Sequence, residues 1–137
     1  MSWLLDTNVV SEIRKGPRGD PGVRRWAAGR HDEAWLSVLT VGEIRRGIEQ
    51  KRRKDELAAR PLEVWLQGLL GSFASRILPI DARVAELWGR LNVPDPVPTV
   101  DGLIAATALI HGLTLVTRNV KDVAGTGVRV LNPFEGG

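Results

Sequence analysis

Cysteine is absent from all 137 residues, so the chain has no disulfide framework and no thiolate metal site. Its two histidines, His31 and His111, stand far apart without the spacing of paired imidazole ligands. No apolar run reaches the roughly 20 residues that a membrane-spanning helix needs. Met1 leads straight into an apolar segment, without the basic, apolar and small-residue succession of an export signal. The expectation is a cytoplasmic protein with no membrane partner. There is no glycine-rich phosphate loop or dinucleotide fingerprint, and no Gly-x-Ser-x-Gly nucleophile elbow. Thr7-Asn8 after Asp6 lacks the second aspartate of an aspartyl-phosphate phosphatase. Internal repeats, low-complexity stretches and an aromatic ladder for stacking bases are missing as well.

What is present suits one globular α/β domain spanning residues 1–137. Hydrophobic residues make up 43% and charged residues 26%, a balance that excludes a disordered chain. The net charge of +3 points weakly towards nucleic acid. Strand signals at Trp3-Leu4-Leu5, Ala34-Trp35-Leu36-Ser37, Ile77-Leu78-Pro79-Ile80, Thr114-Leu115-Val116-Thr117 and Val128-Arg129-Val130-Leu131 alternate with helical ones. Val41, Ile44 and Ile48 recur at helical spacing, so 39–51 is an amphipathic helix. Leu62, Trp65, Leu66, Leu69, Leu70 and Phe73 form the strongest stripe. Val84, Leu87, Trp88 and Leu91 form another. Residues 103–110 are apolar nearly all round, which predicts a helix buried on more than one side. Alternation of this kind implies a central parallel sheet flanked by helices on both faces. Ligands then bind beyond the C-terminal strand ends.

Four acids stand at the mouths of such elements. Asp6 ends the first strand, Glu43 and Asp101 lie near helix starts, and Asp122 follows Thr117-Arg118-Asn119. Each has a structural explanation of its own. Asp6 could cap the next helix, although Asn8 could do that instead and leave Asp6 free. Glu43 could pair with Arg45 or Arg46. Asp101 could serve the helix dipole. Asp81 starts a helix cleanly and reads as a cap. Converging carboxylates without cationic partners repel one another. A hard divalent cation relieves this, and oxygen ligands suit Mg²⁺ or Mn²⁺. The basic run Arg45, Arg46, Lys51, Arg52, Arg53 and Lys54 is either a solvated face, with Glu49 pairing to Arg53, or a phosphate-contacting rim beside Glu43.

Taken together, Leu4-Leu5-Asp6-Thr7-Asn8, Ser37-Val38-Leu39-Thr40-Val41-Gly42-Glu43-Ile44, Pro79-Ile80-Asp81, Asp101-Gly102-Leu103-Ile104-Ala105-Ala106-Thr107-Ala108, Leu115-Val116-Thr117-Arg118-Asn119 and Leu131-Asn132-Pro133-Phe134 resemble the PIN-domain ribonucleases. The likeness is closer to the VapC and FitB toxins of bacterial toxin–antitoxin pairs, and it covers essentially the whole chain. It implies a PIN-like fold and Mg²⁺- or Mn²⁺-dependent cleavage of RNA. Asp6, Glu43 and Asp101 would hold one or two metals, and Asp122 or Asn119 would hold the attacking water. Thr7, Asn8, Thr117 and Asn119 would orient the carboxylates. Val123 stands where such proteins often carry Phe. The resemblance also implies a homodimer and a small cognate antitoxin whose C-terminal segment crosses the groove.

Two other readings compete. One is a PIN nuclease with a housekeeping role in RNA processing. The other is a non-catalytic, receiver-like α/β signalling module that binds Mg²⁺ through clustered acids.

Overall fold

The structure is a computed structural model that describes residues 1–135. Strand β1 (Trp3–Leu5) leads into α1 (Thr7–Arg14), α2 (Pro21–Ala27), β2 (Ala34–Ser37), α3 (Val38–Lys54), α4 (Glu56–Ser72) and β3 (Ile77–Leu78). Then come α5 (Ala82–Leu91), α6 (Thr99–His111), β4 (Thr114–Val116), the single turn α7 (Val120–Val123) and β5 (Val130–Leu131). The strands pair in the order β3-β2-β1-β4-β5, and every pair is parallel. The third and fifth strands are each two residues long, shorter than their apolar runs predict. Pro79 follows β3 directly; without an N–H it cannot donate to the ladder.

Alternation along each strand sorts side chains onto the two faces of the sheet. Leu5, Leu36 and Val116 face one core, with Val9, Val10, Val23, Ile44, Ile48, Leu66 and Phe73 from α1 to α4 and the residue after it. Their neighbours Leu4 and Leu115 face the other, with Ile104, Ala105, Ala108 and Val123 from α6 and α7. Helices therefore cover both faces, as the alternating signals imply. Helix α6 buries Gly102 and every residue from Ile104 to Ala108, because it is held between the sheet and α5. Among the described residues, no helix is long and apolar enough to cross a membrane.

Local chemistry sets the helix ends. Asp20 accepts from the Val23 N–H at 3.1 Å with Pro21 in the first helical position. Asp55 caps α4 at 3.0 Å and Asp81 caps α5 at 3.0 Å. Helix α6 ends at Gly112, whose φ of 66° is the left-handed conformation that glycine adopts without strain. Gly102 allows a close approach in its first turns. A Cβ there would lie 3.2 Å from the Trp88 ring and 3.3 Å from Val97.

Candidate metal-dependent active site

The chain steps from β1 outward to β3 and then returns to β4 on the other side of β1. The crevice beyond the carboxyl ends of β1 and β4 is the topological switch point, where ligands bind in open α/β sheets. Asp6 and Thr117 are the first residues past those two ends. Thr117 Oγ1 donates to Asp6 Oδ2 at 2.7 Å across a sequence separation of 111. Both residues are buried.

Asp6 does the capping as well. Its Oδ1 accepts from the Thr7 N–H at 2.7 Å at the start of α1. The expectation that Asn8 would take this role and free Asp6 is not met, because Asn8 is already inside the helix. Asn8 instead bridges the crevice. Its Nδ2 donates to Asp6 Oδ2 and to Thr117 Oγ1, each at 3.4 Å, while its Oδ1 accepts from the Arg118 N–H at 3.1 Å. The Asn119 N–H donates to Thr117 Oγ1 at 2.9 Å, so Thr117 both serves Asp6 and stabilises the turn after β4.

Glu43 lies in the second turn of α3, deeper than the helix start where its motif suggested. It receives a hydrogen bond from Thr7 Oγ1 at 2.5 Å. Thr7 Oγ1 also lies 3.3 Å from Thr40 Oγ1. Thr40 is fully buried and was not anticipated from the sequence. Its position one turn before Glu43 on an apolar stripe was the available signal. The alternative of a Glu43 ion pair with Arg45 or Arg46 is not realised. Arg45 turns to Glu49 at 2.9 Å and to Glu63 of α4 at 2.6 and 2.7 Å. Glu49 pairs with Arg45 and Arg52 rather than with Arg53. Glu63 draws both arginines to the α4 side, and Glu49 stands between them.

The charges of these acids reach Asp6 and Asp101. Burial pushes the Asp6 carboxyl above its ordinary range; hydrogen bonds from Thr117 and Thr7 oppose the rise, and Glu43 adds to it. Burial likewise raises the Asp101 carboxyl, and the charges of Asp6 and Asp122 push it further. The Asn119 side chain eases that rise, and Glu43 adds to it. Among the described residues, no Lys, Arg or His forms an ion pair with Asp6, Glu43, Asp101 or Asp122. Asp6, Glu43, Asp101 and Asp122 come from four different elements, and Asp101 feels the charges of the other three. His31 packs edge-on against Phe73 instead, with ring centroids 5.0 Å apart.

The donor set fits a hard divalent cation in kind, being anionic, all oxygen and uncompensated. The carboxylates are not drawn into a ligand cage: among the described residues, no three of His, Cys, Asp or Glu meet the spacing for holding a metal ion. Repulsion between like charges and the separate hydrogen bonds of Asp6 and Glu43 account for that spread.

Comparison with known proteins agrees with this geometry. The family model for the PIN domain matches residues 3–122. The chain belongs to the PIN domain family. This PIN domain is 36% identical to Toxin FitB of Neisseria gonorrhoeae, with 96% of this chain and 97% of that protein aligned. It is 32% identical to VapC ribonuclease Y4jK of Sinorhizobium fredii, over 96% and 97% of the two chains. The crystal structure of FitAcB from Neisseria gonorrhoeae superposes with a TM-score of 0.80 at 34% identity, covering 96% of this chain and 97% of that one. The receiver-like alternative is set aside by this membership.

A second feature of this PIN domain is apolar. A cleft of about 420 Å³ lies among α1, α2 and α4, lined by Val10, Ile13, Trp26, Trp65, Leu69 and Phe73, with Arg30 and His31 in its wall. Trp65 and Leu69 are only partly buried against the core. The wide stripe on α4 thus divides: Leu66 is buried in the core, Phe73 is buried at the cleft floor, and the half-exposed Trp65 and Leu69 line the cleft.

Proposed function

We propose that this chain is a metal-dependent ribonuclease and the toxin of a toxin–antitoxin pair, acting as a single cytoplasmic PIN-like domain over residues 1–137. One observation carries the reading: Asp101 lies in the field of Asp6, Glu43 and Asp122, carboxylates from other elements, and none of the four has a cationic partner among the described residues. A protein that keeps such a cluster is built to receive a cation. The relatives named as a toxin and as a ribonuclease support the same activity.

Asp6, Glu43 and Asp101 are the residues that would hold Mg²⁺ or Mn²⁺, with Asp122 acting beside them in catalysis. A bound divalent ion supplies Lewis acidity, activating water and offsetting charge on the phosphoryl oxygens. The chain's own residues do the positioning. The Thr7 N–H and the Thr117 hydroxyl fix the two oxygens of the Asp6 carboxylate, and the Thr7 hydroxyl fixes Glu43. Asn8 ties the two strand ends together, so the carboxylate of Asp6 keeps one orientation. Asp122 or Asn119 would orient the attacking water. The RNA phosphodiester is hydrolysed there.

A small antitoxin is the proposed regulator, with the cleft around Trp65 as its apolar seat and a homodimer as the toxin's own state. RNA cleavage by the purified chain should require added Mg²⁺ or Mn²⁺, stop with a chelator, and vanish in Asp6→Ala. Sequencing RNA 5′ ends after brief induction identifies the target. A small reading frame just upstream of the gene favours a toxin over a housekeeping nuclease. Metal-independent cleavage, or full activity in Asp6→Ala, would refute the site.

A further inference from the structure

The basic run on α3 is two surfaces. Arg45 and Arg52 turn to one side of the helix, where both reach Glu63, at 2.6 and 2.9 Å. Arg46, Lys51, Arg53 and Lys54 have no carboxylate partner among the described residues, and all four are exposed. At 100° per residue, Glu43, Gly47, Gln50 and Lys54 follow one another along a single strip, at i, i+4, i+7 and i+11. Arg46 and Arg53 border that strip on one side. It runs about 16 Å from the acidic pocket to the end of the helix.

Gly47 is the second observation. A glycine inside a helix weakens it relative to alanine, and here no packing demands one. A Cβ at Gly47 would meet nothing within 4 Å, as at the helical Gly42, Gly68, Gly71 and Gly89; what sets Gly47 apart is its place on the strip between Glu43 and Gln50. Exposed helix backbone, bare between Glu43 and Gln50, admits the close approach of a large ligand. The basic residues of the last turn also suit the helix dipole, but Arg46 lies two turns earlier and gains nothing from it.

Building on the ribonuclease reading, we infer that this outer strip of α3 is the track for the single-stranded RNA backbone on one side of the cut. Arg46, Arg53 and Lys54 contact phosphates, and Gly47 is where the strand crosses the helix. A polyanion approaching four carboxylates is repelled by them. Cations on its path offset that repulsion and set which phosphate enters the pocket. Arg45 and Arg52 take no part, because Glu49, Glu56 and Glu63 already neutralise them.

Binding separates this track from catalysis. In an Asp101→Asn background, a single-stranded RNA oligomer should bind the Arg46→Ala, Arg53→Ala, Lys54→Ala triple variant at least about tenfold more weakly. The slope of log affinity against log salt should fall by about 0.7 for each cation removed. Gly47→Ala keeps every charge; it should raise the melting temperature yet weaken RNA binding at an unchanged salt slope. Arg46→Gln alone gives a milder version of the triple variant should that one fold poorly. Unchanged RNA affinity and slope in these variants would overturn the track, as would a loss confined to binding of an acidic partner peptide. If the unmutated chain cleaves no RNA, the ribonuclease reading fails while the binding data still decide the track. If cleavage is intact and the triple variant keeps the same KM, the track fails and the ribonuclease reading stands.

Discussion

Two charge clusters meet at α3 and are built on opposite rules. On the α4 side, Arg45 and Arg52 converge on Glu63, with Glu49 and Glu56 closing the network. The Arg45 guanidinium holds the Glu63 carboxyl down to about 2, with Gln67 assisting. On the sheet side, Glu43 joins Asp6, Asp101 and Asp122, and burial and mutual repulsion raise Asp6 and Asp101. The first cluster satisfies itself and contributes to the fold. The second is hydrogen-bonded at Asp6 and Glu43 but has no cationic partner among the described residues, and it is there that we propose a cation binds. A single helix presents both, so local sequence alone does not set the difference. It depends on what packs opposite each face.

The sharpest way to break this contrast is to remove charge from the cluster that lacks a cationic partner. Asp101→Asn should lower metal-dependent RNA cleavage by about a thousandfold or more, since metal-assisted displacement depends on ligand charge. The same change should leave the metal-free fold as stable as before, or more so, because one of several repelling charges is gone. Activity assays and thermal melts check both halves. A much less stable variant would mean that Asp101 serves its helix and not the site.

The next largest effect lies outside both charge clusters and serves as their control. Trp65→Ala should weaken binding of the antitoxin segment by about 2 kcal/mol, the scale of an interface anchor, and leave cleavage by free toxin nearly intact. Calorimetry of the complex beside a cleavage assay reads this. Equal losses in both, with a large drop in melting temperature, would make Trp65 a core residue.

Acid titration of the metal-free protein should separate the clusters by sign. Asp6 and Asp101 have folded pKa values above their unfolded ones. Their ionisation penalty is therefore absent below the ordinary aspartate range, grows as pH rises through the folded values, and is full at neutral pH. Glu63 has the reverse sign. Its contribution is present above the ordinary glutamate value and is lost as pH falls towards about 2. Denaturant melts should show stability rising on mild acidification from neutral pH and then falling. In an Asp6→Asn, Asp101→Asn variant the initial rise should disappear.

The smallest effect is expected from Glu63→Gln. These ion pairs are only half-buried, and solvent-accessible pairs contribute little. A slight fall in melting temperature, smaller still in high salt, with cleavage unaltered, would keep the network structural. A large loss of activity would move the boundary between the two clusters.

Much of this was legible before folding. Asp81 caps its helix, as its sequence reads, because a side-chain oxygen reaches an N–H three residues on, a contact written within a few positions. Strand and helix periodicity gave both faces of the sheet. The ends of β3 and β5 were less legible, since a strand stops where its neighbour stops, whatever its own apolar run.

Local signals, then, determined the element types, their order, the caps and the four acids as candidates, because each rests on interactions spanning a few residues. Tertiary structure decided how those acids are partnered. It gave Thr7 to Glu43 and Thr117 to Asp6, contacts spanning 36 and 111 residues. It drew Arg45 and Arg52 to Glu63 and so left Arg46 and Arg53 facing solvent. Charges choose partners by distance in space, and the order of strands in a parallel sheet sets those distances.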